Sequence, residues 1–287
     1  VPHKAAIFIK FLILSTGLDK LNSPARKGTE DKPKEEGPVN IIVCIKQVPD
    51  TETKVKVGPD GKTIDPAGVN YILNPYDEFA VEEGLRIKEK HGGEVTVVSL
   101  GPDRVTSAIR TALAMGADKG VHIKLDDTYL DSHAVASVLA DTLKELPYDI
   151  ILMGKQAVDD DNLQVGPRVA TLLGIPCVTV VTKLEIGDGK LVAEREVEGG
   201  TEVIEASLPA VVTAQKGLNE PRYASVKGIM MAKKKPIEEK TVDAPETQLE
   251  IVKMDYPPER QAGKFIGKGV DDVPELVRRL HEEAKVI

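Results

Sequence analysis

Short apolar runs and helical apolar stripes take turns along this chain from Val39 onward. The first run, VNIIVCIKQV over residues 39–48, is apolar on both faces and reads as a central strand. Asn74-Pro75-Tyr76-Asp77-Glu78 then opens a helix. Asn74 is the expected cap, Pro75 fills the first helical position, and the two acids sit toward the positive end of the dipole. Ala80, Val81, Gly84, Leu85 and Ile87 form its inner stripe, and Gly92-Gly93 ends it. The unit repeats with a strand at 94–100, then a helix carrying Val105, Ile109, Ala112 and Leu113 that Gly116 closes. A strand at 120–123, a helix at 131–146 and a strand at 149–153 follow. Strands alternating with helices imply a parallel sheet covered on both faces by right-handed crossovers. The predicted class is α/β, a doubly wound, mainly parallel sheet.

The stretch with most chemical content is 150–176, ILMGKQAVDDDNLQVGPRVATLLGIP. An apolar strand ends at Gly154, three consecutive aspartates follow, and a helix is predicted from about Asn162. Val165, Val169, Leu172 and Leu173 make its stripe, and Gly174 with Pro176 closes it. Ligands of α/β sheets bind beyond the carboxyl ends of strands, where a helix start offers free N–H groups to a phosphate. One reading of the stretch is therefore a nucleotide loop. The other is an ordinary connection in which Asp159, Asp160 and Asp161 serve as cap and solvated turn, since neither GxGxxG nor GxxxxGK[ST] is present.

After Pro176 the pattern turns to β-ribbons, with hairpin turns at Gly187-Asp188-Gly189 and Glu198-Gly199-Gly200. From Gln215 no core-forming pattern is read until a final helix, 272–285, with Val273, Leu276, Val277 and Leu280 on one face. Such a segment is expected to be an arm that finds its apolar burial on another subunit. The long connection 49–73 contains a small hairpin at Pro59-Asp60-Gly61. The expected divisions are 1–37, a disordered or leader extension; 38–214, the α/β domain; and 215–287, loop and arm.

Composition narrows the function. Net charge −8 and 3% aromatics with no Trp disfavour a nucleic-acid partner. No run approaches the roughly 18 apolar residues of a membrane span, so no membrane insertion is expected. The two cysteines lie in apolar runs and the five histidines are scattered, which indicates no metal site and no disulfide. No nucleophile–base pair stands out.

Several blocks then carry a family resemblance: NPYDEFAVEEGLRIKE, IRTALAMGAD, GKQAVDDD, VEGGTE, LPAVVTAQKGLNEPRYASVKGIMMAKKKPIE and PPERQAGK. In this order they resemble the β subunit of electron-transfer flavoproteins, over residues 39–287. The resemblance implies an adenine-nucleotide-hydrolase-like fold and a non-enzymatic electron carrier. It implies a partner α subunit holding the redox FAD, and a structural AMP in this chain. Electrons would come from acyl-CoA or related dehydrogenases and pass to a quinone oxidoreductase, in the cytoplasm or, in a eukaryote, the mitochondrial matrix. Carried over by matching motif, the nucleotide site takes in Cys44, the helix start Asn74, Pro75, Tyr76 and Asp77, and Leu100. It continues through Gly154, Lys155, Gln156, Ala157 and Val158, then Asp159, Asp160 and Asp161, then Asn162, Leu163, Gln164 and Val165. The resemblance also places Tyr76 within reach of the α-subunit flavin, beside which stands its reading as a packed helix-start aromatic. Val226 matches a residue that docks into a dehydrogenase, and Glu196 an acid near the mobile flavin domain. From the residues alone, Val226 packed under its own loop and Glu196 as a solvated strand residue stand beside these roles.

Bifurcating relatives hold a second FAD in place of AMP. Leu163 and Val165 stand where AMP-holding members carry Asn and Thr, and QVG resembles the bifurcating ones. GKQAVDDD and SLGPDRVTSAIRTALAMGADKG resemble the AMP holders, and LDDTYLDSHAV lacks the Ala-Gly-rich segment of the bifurcating members, so AMP is expected. An adenine-nucleotide-using enzyme would need a Gly/Ser-rich phosphate loop after the first strand, where this chain reads KQVPDTET. A stand-alone nucleotide sensor would leave the C-terminal arm nothing to hold.

Overall fold

The computed structural model describes residues 37–126, 130–243, 245–259 and 262–287, together with the backbone of Ala6–Lys10. Apart from Gly37 and the strand β1 (Ala6–Lys10), the expected leader extension lies outside the described residues.

The alternation becomes an α/β sandwich. Strand β2 (Val39–Cys44) runs up the centre of the sheet, as its two-faced apolarity requires. The chain continues into β3 (Gln47–Pro49), β4 (Tyr71–Leu73), α1 (Pro75–His91) and β5 (Gly93–Gly101). Next come α2 (Thr106–Met115), β6 (Lys119–Lys124), α3 (Ser132–Leu143), β7 (Ile150–Gly154) and α4 (Val165–Leu173). The ribbons are β8 (Cys177–Gly187), β9 (Lys190–Val197) and β10 (Gly200–Ser207), after which β11 (Ala210–Ala214) returns to the sheet. Helix α5 (Val226–Ala232), strand β12 (Ile237–Thr241) and helix α6 (Val273–Glu282) follow.

Among the described residues one sheet has ten strands in the order β1-β10-β9-β8-β11-β7-β2-β5-β6-β12. All its neighbours pair in parallel except β10–β9 and β9–β8. One face buries Ile41, Val43, Val97 and Leu152 with Val81, Leu85, Ile109 and Leu113 of α1 and α2. The other buries Ile42, Val98, Ile123 and Ile151 with Leu139, Leu143 and Val169 of α3 and α4. The chain leaves β2 toward β5 on one side and comes back to β7 on the other. The crevice between the carboxyl ends of β2 and β7 is thus the topological switch point.

The structure departs from the sequence expectations in three places. The run 39–48 is two strands, because β3 leaves the sheet to pair antiparallel with β4. Helix α4 starts at Val165 instead of Asn162, and its Leu172 faces outward at 42% exposure. The sheet unit does not stop at 214. Strand β12 takes the edge beside β6, and the described residues of the first compact unit run on to Glu250, without 56–65.

Among the described residues the second unit holds 56–65, 251–259 and 262–287. In it the expected Pro-Asp-Gly turn is closed by one Val57–Ile64 bridge, and the Gly61 carbonyl accepts from the Met254 N–H at 2.7 Å. The α6 face predicted to be apolar forms, and Val273, Leu276 and Val277 are exposed on it.

Candidate functional site: the crevice at the switch point

Strand β2 ends at Cys44, which pairs with Met153 of β7. Its side chain is buried, and burial followed by the nearby Asp77 carboxylate pushes its thiol well above the ordinary cysteine value. Burial likewise pushes Cys177 up to about 11. Neither is an available thiolate. Leu100, at the end of β5, packs on the same sheet face as Cys44.

The entry to α1 holds the crevice together. Asn74 is only 1% exposed, and its side chain does not cap α1. It reaches across instead: its Nδ2 donates to the Gln156 carbonyl at 2.9 Å, and its Oδ1 accepts from the Val158 N–H at 3.2 Å. Pro75 fills the first helical position as expected. Asp77 does more than face the dipole. Its Oδ2 accepts from the Lys46 N–H at 2.7 Å and its Oδ1 from the Gly154 N–H at 2.9 Å. One carboxylate so ties the ends of β2 and β7 to the start of α1. Burial pushes Asp77 up to about 7, with the Lys46 and Gly154 N–H groups acting the other way. Gly154 is required here, because a Cβ would collide with Asp77 Oδ1 and lie 2.8 Å from Tyr76 Cβ.

The loop after Gly154 folds back on this frame. The Lys155 N–H donates to the Ala214 carbonyl at 2.8 Å, and Lys155 Nζ lies 5.3 Å from the Tyr76 ring centroid. The Ala157 carbonyl accepts from the Asp161 N–H at 2.9 Å. Lys46 Nζ donates to Asp159 Oδ1 at 2.9 Å and to Asp160 Oδ2 at 3.1 Å. Burial pulls the Lys46 ammonium down, but the two carboxylates outweigh it and hold it above the ordinary lysine value. Asp160 also takes the Asn162 N–H at 3.2 Å, and Asp161 accepts from Gln156 Nε2. The three aspartates are therefore engaged by a cation, a side-chain amide and a backbone N–H. Asp161 and Leu163 hold positive φ, 50° and 56°, where the loop bends toward α4.

Helix α4 begins with no side-chain cap, since Gln164 turns its Oε1 to Arg168. Pro167 has no N–H, so the first-turn donors are Val165 and Gly166. These amides suit an anion. Among the described residues no cluster of three or more His, Cys, Asp or Glu could hold a metal, and no helix is long and apolar enough to cross a membrane.

Cys44, the helix start 74–77 and the loop 154–158 thus meet through direct pairing and hydrogen bonds. Glu196 and Val226 do not belong to this crevice. Glu196 is exposed on β9 opposite Thr201, and Val226 opens α5 with 78% of its surface exposed. Lys46, which gathers Asp159 and Asp160, was not among the predicted site residues. Its only signal in the sequence is a cation directly after a buried strand run. Also unforeseen is the clamp by which Arg222 grips Glu82 and Glu89 while Asn219 donates to Glu83 Oε2 at 2.9 Å.

Residues 62–245 match the family model of the electron transfer flavoprotein domain. Over 259 residues the chain is 45% identical to electron transfer flavoprotein subunit beta of Bacillus subtilis (strain 168), covering 87% of this chain and 100% of that protein. The subunit beta of Syntrophomonas wolfei is 47% identical over 239 residues, 83% of this chain and 92% of that one. The human subunit beta is 40% identical over 257 residues, 86% and 99% of the two chains. With the α/β fold and a crevice at its switch point, these likenesses show that the chain belongs to the electron transfer flavoprotein family, among its beta subunits.

Proposed function

We propose that this chain holds a structural AMP in the β2/β7 crevice and forms a heterodimer with an α subunit that binds FAD. The pair takes electrons from acyl-CoA-type dehydrogenases and passes them toward a quinone reductase or respiratory chain, in the cytoplasm or the mitochondrial matrix. The observation that carries the nucleotide assignment is the way 154–165 is built. Asn74, Asp77 and Lys46 fix its course, the aspartates are engaged by Lys46 and Gln156, and the uncapped start of α4 offers backbone donors. This donor set fits a monophosphate. The flavin supplies the redox chemistry when bound, and this chain's residues bind, orient and present surfaces. The raised thiols of buried Cys44 and half-buried Cys177 fit a carrier without catalytic chemistry of its own.

Leu163 and Val165 add no polar side-chain atom to the crevice, which favours a second reading with FAD in place of AMP, as in bifurcating relatives. Co-expression with the α partner, followed by release and mass identification of the nucleotides, separates the two. One FAD and one AMP per heterodimer are expected. Two FADs without AMP establish the bifurcating reading, and no nucleotide in this chain removes the site assignment.

A further inference from the structure

Helix α5 is a seven-residue element with a single buried residue, Ala232. Val226 and Met230 are 78% and 66% exposed, and Ile229 and Met231 are exposed beside them. Apolar burial does not hold this helix, and a helix so short does not persist by itself.

Its fixation is polar and reciprocal. Arg110, on α2, donates through Nη1 to the Ala232 carbonyl at 2.5 Å and the Lys235 carbonyl at 2.7 Å, at the end of α5. Lys235, just beyond α5, donates through Nζ to the Leu113 carbonyl at 2.9 Å and the Ala117 carbonyl at 2.5 Å, at the end of α2. Arg110 on α2 and Lys235 just past α5 thus each place a cation on carbonyls at or just beyond the other helix's C-terminal end, where the helix dipole favours positive charge. Gly228 lets the two come flush, since a Cβ there would collide with the Ala114 carbonyl oxygen. At the other end Ser225 Oγ accepts from the Gly228 N–H at 3.0 Å.

We propose that Arg110 and Lys235 are positioning residues for docking: by capping each other's helices they present the apolar side chains of α5 already ordered to the electron-donating flavoprotein. This inference rests on the proposed electron transfer from a dehydrogenase and on Val226, which opens α5, being the docking residue that the family resemblance implies. A partner meeting an ordered helix avoids the ordering cost that a frayed one adds to binding. The residues act through α5.

The test uses the full heterodimer as electron acceptor for an acyl-CoA dehydrogenase of the same organism, reduced by its acyl-CoA substrate. Arg110→Gln and Lys235→Gln are expected to raise the half-saturating carrier concentration about tenfold, with maximal rate, flavin content and unfolding midpoint within twofold or a few degrees of wild type. Amide hydrogen exchange over 229–235 should quicken, and Lys235→Arg should restore most of the loss. Gly228→Ala, which lifts α5 without removing either cation, should act like the Gln variants and decides the matter if those fail to fold. Faster exchange with unchanged half-saturation overturns the proposal. Val226→Ala separates the two levels. If it weakens docking while the Gln variants do not, only the positioning role falls. If it has no effect, the docking reading itself falls.

Discussion

Replacing Asn74 with Ala removes the side chain that hydrogen-bonds from the start of α1 to the backbone of residues 156 and 158 in the loop after β7. Two hydrogen bonds are lost, to the Gln156 carbonyl and from the Val158 N–H, at a side chain only 1% exposed. Net loss per bond is about 1 kcal/mol, and more where a partner is left dry, so the variant costs about 2–4 kcal/mol. The sheet core does not depend on these bonds, so most of the loss should fall on the loop. If about 2 kcal/mol moves into the cost of ordering 156–164 around a nucleotide, AMP binds roughly 30-fold more weakly. Calorimetric titration of AMP into nucleotide-stripped heterodimer measures this, alongside hydrogen exchange of the loop amides. Asn74→Asp should be worse than Asn74→Ala. It keeps an acceptor for Val158 but turns a carboxylate oxygen on the Gln156 carbonyl, beside buried Asp77. Wild-type AMP affinity and unchanged exchange in Asn74→Ala would refute the claim that this side chain organises the loop.

Asp77 makes stability fall as pH rises from about 4 to about 7: its folded value, about 7, lies above its ordinary 3.8, so in that window the folded chain keeps a proton the unfolded chain has released. The span is at most about 4 kcal/mol; urea midpoints of wild type minus Asp77→Asn should shrink across the window, and a difference independent of pH would show the carboxyl is not the source. Lys46→Met leaves Asp159 and Asp160 without their cation. Because the pairs are partly exposed, stability should change by no more than about 1 kcal/mol, yet co-purifying AMP should drop, and its salt dependence should change. Val226→Leu adds one methylene to an exposed anchor, about 0.8 kcal/mol if buried on docking, so half-saturation by carrier in dehydrogenase assays should fall about fourfold.

The sequence by itself determined the class of this protein and pointed to the neighbourhood of its candidate site. Strand-like runs at 39–48, 94–100 and 150–153, alternating with helices opened by Asn-Pro or Gly-Pro-Asp, imply a parallel sheet covered on both faces. The carboxyl ends of those strands are where ligands of such a sheet bind, which made a nucleotide loop one of two readings of 154–165; the remaining candidate residues came from the family resemblance. Local rules misassigned side chains whose partners lie far away in sequence. Asn74 has every mark of a helix cap, but its bonds go to residues more than eighty positions on. The three aspartates look like a repulsive or solvated run until Lys46, more than one hundred positions earlier, is brought beside them. Strand β12, IEEKT, carries little apolar signal because an edge strand needs only one partner, β6, to satisfy its backbone. Periodicity records which face is buried, and only the tertiary fold decides which distant polar group a buried one meets, because that pairing depends on crossovers no local window contains.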